Sequence, residues 1–281
     1  TMACATCHNP EKAFTDGLPK SKSADGKNTL DRNAPTLLNS IYTKGFFYDL
    51  RSPKISQQFE HVVFSDMEFN TSLIAIFSKL ADDEVYTAQF ADAFQSHKKH
   101  PVNNYTFKTA LASYVASLSG YDSEWDKYMR GEGEVSSDAV AGYNLFTGKA
   151  ACATCHFAPT FAGLLPPYFD DTESEVLGVP VDKKYSEIDP DEGRYSDQRP
   201  TEKVNFYQYS FKTTTARHVS STAPYMHNGV FDTVEEVIAF YNDGGGAGHG
   251  LDVPYQTLAA DSLGLSALEE QQLVAFLKVL N

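Results

Sequence analysis

Apolar residues along this chain recur mainly at helical spacing. Phe107, Leu111, Tyr114, Val115 and Leu118 line one face of a helix that should stop before Gly120. Ser136 is placed to cap a helix carrying Val140 and Tyr143. Thr233 with Glu236, and Ser266 with Glu269, each form a capping box ahead of an amphipathic run. In such a box the hydroxyl and the carboxylate satisfy backbone N–H groups that the first turn leaves unpaired. Val234, Val237, Ile238 and Tyr241 share one face of the first of these two helices, so the Tyr241 phenol points inward. Period-two alternation is scarce, and the fold class expected is mostly α. From Pro166 to Pro200 the chain is polar, acidic and broken by Pro and Gly, which predicts a long loop with solvated carboxylates. Gly244 to Gly250 reads as a flexible loop, and without a following Lys-Ser/Thr it is no phosphate cradle.

Composition narrows the function classes. The chain has 281 residues, enough for two domains, and its 42% hydrophobic share can fill their cores. With 37 acidic and 23 basic side chains the net charge is −14, which repels phosphate backbones and argues against a nucleic-acid partner. The longest apolar run, Leu73 to Phe77, is far too short to span a membrane. The sequence opens at Thr1 with neither a charged n-region nor an apolar h-region, so the chain as given carries no secretory signal.

The cysteines carry the chemistry. All four lie in two copies of one hexapeptide, Ala-Cys-Ala-Thr-Cys-His, at Ala3 to His8 and Ala151 to His156. C-x-x-C-H is the attachment signature of c-type haem. Cys4 with Cys7, and Cys152 with Cys155, are spaced to add to the two vinyl groups of a porphyrin, and His8 and His156 then reach the iron on the same face. A disulfide framework, a thioredoxin-like motif and a Cys/His zinc site are the competing readings. Repetition at about half the chain length predicts two haem domains, 1–133 and 134–281, joined at the Gly- and charge-rich stretch 130–134. Covalent haem is installed outside the bacterial cytoplasm, so a periplasmic location is expected.

Beyond the haem motifs, the sequence resembles the bacterial dihaem cytochrome c peroxidases and the MauG-type enzymes similar to them. The resemblance rests on Cys4 to Asp16, Arg32 to Asn39, Phe46 to Arg51, the second haem motif, Phe211 to Gly229 and Thr233 to Gly244. It implies two cytochrome c-like haem domains with a calcium site and inter-haem residues at their interface. The N-terminal haem would be the peroxide site, the C-terminal haem the electron-transfer site, and His8 and His156 their proximal ligands. The stretch from Thr15 to Gly26, where some relatives carry a distal histidine, has none, so the first iron is expected to be five-coordinate and open. His61, His97 and His100 do not match the ligand position and read as surface or packing histidines.

The resemblance also assigns roles. Glu68, twenty residues after Tyr48, stands where the family carries its catalytic glutamate, and Gln58 stands at another distal-pocket position. Val62 replaces the proline of the members closest to MauG. Tyr241, fourteen residues after His227, takes the position of the second iron's distal ligand, a methionine in conventional peroxidases and a tyrosine in MauG-type enzymes. A hard anionic phenolate favours ferric iron, whereas thioether sulfur favours ferrous iron. Met226 is a rival ligand that departs from the family spacing. Tyr48 replaces the usual inter-haem tryptophan. Asn33, Thr222 and Pro224 match the calcium position, while Arg217 and His227 are expected to support the inter-haem region or the haem propionates. The lone Trp125 reads as domain packing.

Three functions follow, in order of preference: a MauG-like enzyme that uses hydrogen peroxide to oxidise an aromatic residue of a protein partner, a conventional peroxidase fed by a small cytochrome or copper protein, and an electron carrier without turnover.

Overall fold

The computed structural model describes residues 2–196 and 204–281. Its order is α1 (Cys4–Cys7), α2 (Ile55–Phe64), α3 (Leu73–Ala81), α4 (Glu84–Ala93), α5 (Asn104–Ser117), α6 (Glu124–Met129), α7 (Ser137–Thr147), β1 (Ser174–Val176), β2 (Ser210–Lys212), α8 (Val234–Asn242), α9 (Gly245–Gly248) and α10 (Ala267–Lys278). The expected mostly helical class is observed. Among the described residues no helix is long and apolar enough to cross a membrane.

Local signals fix the helix starts. Thr233 Oγ1 accepts from the Glu236 N–H at 3.1 Å, and Ser266 Oγ accepts from the Glu269 N–H at 3.4 Å, closing the boxes that open α8 and α10. Ser136 caps α7 through the Ala139 N–H at 3.1 Å.

The main core lies in the second half of the chain, where α7 crosses α10. Phe276 of α10 is fully buried. Trp125, Phe146 and Phe161 pack edge-to-face around it, with centroids 5.0, 5.3 and 5.7 Å away. Trp125 therefore packs as the sequence suggests, but against the C-terminal core, and its backbone N–H donates to the Val279 carbonyl at 3.0 Å. Gly142 is the contact point of the two helices, because a Cβ there would fall on the Gln272 carbonyl and the Phe276 side chain. Gly142→Ala should lower the unfolding free energy by about 1–3 kcal/mol, measured by urea denaturation, because the helices must separate to admit one methyl group.

In the first half, α2 packs on α5, with an ion pair between Lys108 and Glu60, and Phe77 of α3 meets Phe107 of α5 edge-on at 5.5 Å. The long stretch from Pro166 is irregular except for β1, which pairs antiparallel with β2 and sets Glu175 opposite Phe211. Residues 197–200, the end of that stretch, lie outside the described residues.

One expectation is corrected. Gly244 to Gly250 is not a flexible loop; it contains the helical turn α9, with Gly245 and Gly246 buried. A Cβ on Gly246 would meet the Gly178 backbone, so glycine serves close approach here, and flexibility is not its role.

Candidate haem centres and the seam between them

The two cysteine motifs fold into the same device. The His8 N–H donates to the Cys4 carbonyl at 2.9 Å, and the His156 N–H donates to the Cys152 carbonyl at 2.9 Å. His8 Nδ1 lies 3.1 Å from the Phe14 carbonyl, and His156 Nδ1 lies 3.1 Å from the Phe161 carbonyl. Both phenylalanines are left-handed, at φ +59° and +48°, which turns each carbonyl back toward its histidine. A carbonyl only accepts, so Nδ1 carries the hydrogen in both rings and Nε2 keeps its lone pair for a metal. Burial lowers both imidazole pKa values, which keeps the rings neutral.

All four cysteines are free, so a disulfide framework does not hold. Burial pushes the Cys152 thiol up to about 12, and burial together with Glu175 and Glu173 pushes Cys155 to about 11. Among the described residues, the one set of three potential metal ligands within reach of each other is Cys155, Glu173 and Glu175; it contains neither histidine, which removes the zinc reading. A neutral, oriented imidazole beside two unbridged thiols, twice over, fits covalent haem.

The turn after α2 positions Glu68. The Ser65 N–H donates to the His61 carbonyl and the Glu68 N–H to the Ser65 carbonyl, at 3.0 and 3.1 Å, and the Ala24 N–H holds the turn from outside through the Met67 carbonyl at 2.9 Å. Glu68 is half-buried. Burial raises its pKa, against a hydrogen bond from Ser65 and the charge of Arg51. Its negative charge adds to burial in raising the Cys4 and Cys7 thiols. Gln58 is half-buried on α2. His61 packs edge-on against Phe47 at 5.6 Å, and His97 stacks on Tyr105 at 5.3 Å, which accounts for both as packing groups.

Across the second motif stands Tyr241, on α8. Val234 and Ile238 of the same helix face are in the core and fix its orientation. Burial raises the phenol pKa, and the charges of Cys152, Cys155 and Glu175 raise it further.

A polar seam joins the two halves of the chain. The Tyr48 hydroxyl donates to Asn33 Oδ1 at 3.3 Å, and burial raises the phenol pKa. The Asn33 N–H donates to the His227 carbonyl at 2.6 Å, and its Nδ2 donates to the Leu18 carbonyl at 2.8 Å. Asn33 thus joins the loop holding Thr222 and Pro224 through the backbone of His227. Thr222 Oγ1 donates to the Val219 carbonyl at 3.2 Å. The His227 ring stacks on Phe211, with centroids 3.7 Å apart, and its Nε2 lies 3.4 Å from Asp189. Burial lowers the His227 pKa.

Sequence reasoning missed the charges that hold this seam. Arg32 donates to Asp49 at 2.7 Å and bidentately to Asp191 at 2.6 and 2.8 Å, tying the first half to the loop of the second. Asp49 is fully buried and also accepts from Arg51 at 2.8 Å. The Lys212 N–H donates to the Tyr48 carbonyl at 2.6 Å, and burial lowers its ammonium to about 8 against the pull of Asp49. The polar residues flanking Tyr48 in Tyr48-Asp49-Leu50-Arg51 were the available signal.

Arg217 is held by protein partners. Its Nη1 and Nη2 donate to Asp126, each at 2.8 Å, and its Nε donates to the Pro159 carbonyl at 2.9 Å. Its guanidinium carbon lies 5.4 Å from the ring centre of Phe161, whose carbonyl orients His156.

A mostly helical chain that twice presents an oriented histidine after two free thiols defines a di-haem protein of the cytochrome c type. The chain belongs to the di-haem cytochrome c peroxidase and MauG family, and it is a haem oxidoreductase. The family model for di-haem cytochrome c peroxidase matches residues 1–134. The chain is 31% identical to cytochrome-c peroxidase IdrP2 of Pseudomonas sp. (strain SCT), covering 100% of this chain and 76% of the relative. It is 30% identical to the methylamine utilization protein MauG of Methylorubrum extorquens, over 100% of this chain and 72% of the relative. It is also similar to the crystal structure of a MauG-like protein associated with microbial copper homeostasis, with a TM-score of 0.82 and 25% identity over 100% of this chain and 83% of that one.

Proposed function

We propose that this chain is a MauG-like enzyme that consumes hydrogen peroxide at the N-terminal haem and oxidises an aromatic residue, tryptophan by preference, of a protein partner by long-range electron transfer. The feature that supports this reading is Tyr241, a hard oxygen donor on α8, whose phenol feels the charges of Cys152 and Cys155 of the second motif. Haem held by Cys4, Cys7 and His8, and by Cys152, Cys155 and His156, supplies the iron chemistry of peroxide reduction and electron storage. The chain's own residues supply the rest. Glu68 takes a proton from one peroxide oxygen and returns it to the other. Gln58 lines the same distal pocket. Tyr48 takes the place of the inter-haem tryptophan, and its oxidation requires loss of the proton it gives to Asn33.

Further parts of the reading are the division into haem domains at 133/134, a calcium ion held by Asn33, Thr222 and Pro224, support of the inter-haem region by His227 and Arg217, and a periplasmic location. The neutral oxygens of the calcium set suit a hard cation, and the Asn33 Oδ1 already accepts one hydrogen bond from Tyr48.

The second reading is a conventional peroxidase drawing electrons from a small cytochrome or copper protein, favoured by the relative named as a cytochrome-c peroxidase. Peroxide added to the ferric, haem-loaded protein separates the readings. A MauG-like enzyme reacts at once, a conventional peroxidase after prior reduction, and an electron carrier not at all. In Tyr241→Phe the low-spin ferric EPR signal of the second haem is expected to be replaced by another; an unchanged signal rejects tyrosine ligation.

A further inference from the structure

The glycine-rich turn builds an aromatic stack that none of the assignments above uses. Gly244, at φ +85°, and the close-packed Gly245 and Gly246 seat α9 so that His249 follows it onto Tyr185. The His249 and Tyr185 rings lie 3.6 Å apart and 10° from parallel. Both are nearly parallel to Phe240, at 6.2 Å from Tyr185 and 6.3 Å from His249. Phe240 is fully buried and adjoins Tyr241, with centroids 6.0 Å apart. One end of this row is Tyr241, the proposed ligand of the second haem. The other end, Tyr185, is partly exposed and is flanked in the chain by the exposed Lys184 and Ser186.

We infer that Tyr185 is the point at which electrons enter the C-terminal haem centre from outside. Electron tunnelling weakens steeply with the width of the gaps it crosses, and the ring centres of this row lie 3.6 to 6.3 Å apart. The order of ring types suits the task. Phenylalanine, in the middle, is too hard to oxidise to trap charge, whereas a phenol at the outer end gives up an electron together with its proton. The partly exposed Tyr185 can release its proton to solvent. His249, with Nε2 3.5 Å from Asp243, is the positioning residue that holds the ring in the row.

The inference rests on the proposed use of hydrogen peroxide as oxidant. Reducing one peroxide to two waters takes two electrons and two protons. Two successive one-electron oxidations of Tyr185 supply the electrons, and the phenol O–H bond breaks each time with release of a proton. Each phenoxyl then regains an electron and a proton from a reductant of the phenol or indole class, so the pair of protons balances the water formed.

The test uses the full haem-loaded chain, with Tyr185→Phe and His249→Phe, both checked for unchanged thermal unfolding. Peroxide is added without a partner in the presence of a nitroso spin trap, and adducts are mapped by peptide mass spectrometry. In the unsubstituted protein we expect a tyrosyl EPR signal and an adduct at residue 185, a result that depends on no variant. In Tyr185→Phe the adduct and signal are lost and guaiacol oxidation falls about tenfold, while the Soret response to peroxide keeps its rate. His249→Phe should lower the adduct yield. Adducts elsewhere with residue 185 untouched, or an unchanged guaiacol rate in Tyr185→Phe, overturn the inference. Absence of any Soret response, in all three proteins, overturns the proposed use of peroxide instead.

Discussion

Glu68→Gln slows the reaction of the ferric, haem-loaded protein with hydrogen peroxide by about 10²–10⁴-fold, because the amide is nearly isosteric but has no basic oxygen to take the peroxide proton. Stopped-flow absorbance measures it directly. The pH profile gives a second readout. Burial raises the Glu68 pKa, and a base works only when ionised, so the rate should climb with pH through a midpoint above the ordinary glutamate value of about 4.3. That acid limb should disappear in the glutamine variant. An unchanged rate in Glu68→Gln would remove this carboxylate from proton transfer, whatever its burial.

The second large effect is on stability. Arg217→Met should lower the unfolding free energy by about 3–5 kcal/mol, since it strips a buried carboxylate of its bidentate partner. The Arg217 and Asp126 side chains are 2% and 12% exposed. Burial works against the Asp126 charge, but hydrogen bonds from Arg217 and Ser123 hold its pKa down to about 2. A carboxylate pKa depressed on folding contributes stability above its unfolded value, and that contribution is lost as pH falls through the folded one. Acid unfolding of the unsubstituted protein should therefore include a component between about pH 4 and 2 that is missing in Arg217→Met. Combining Arg217→Met with Asp126→Asn should recover part of the loss, and strict additivity in that double-mutant cycle would show that the two side chains do not act as a pair.

These two cases show what the sequence made legible. The capping boxes at Thr233 and Ser266, the helix carrying Phe107 to Val115 and the haem motifs all depend on residues within a few positions of each other, and each could be located from spacing alone. Glu68 and Tyr241 came from a family resemblance, on which their proposed roles rest. Partners distant in the chain were out of reach. Asp126 and Arg217 are 91 positions apart, Arg32 and Asp191 are 159 apart, and no local pattern distinguishes such pairs from solvated charges. The Gly244 to Gly250 segment misled for a related reason. Glycine permits both a mobile chain and a backbone pressed against another backbone, and only the nearby Gly178 decides between them.

Each histidine is aimed by a carbonyl six positions downstream in one motif and five in the other. Orientation of the ligand is thus a short-range property of each motif, independent of how the halves meet. Loosening the Arg32 clamp should alter communication from one centre to its neighbour while leaving each imidazole aimed as before.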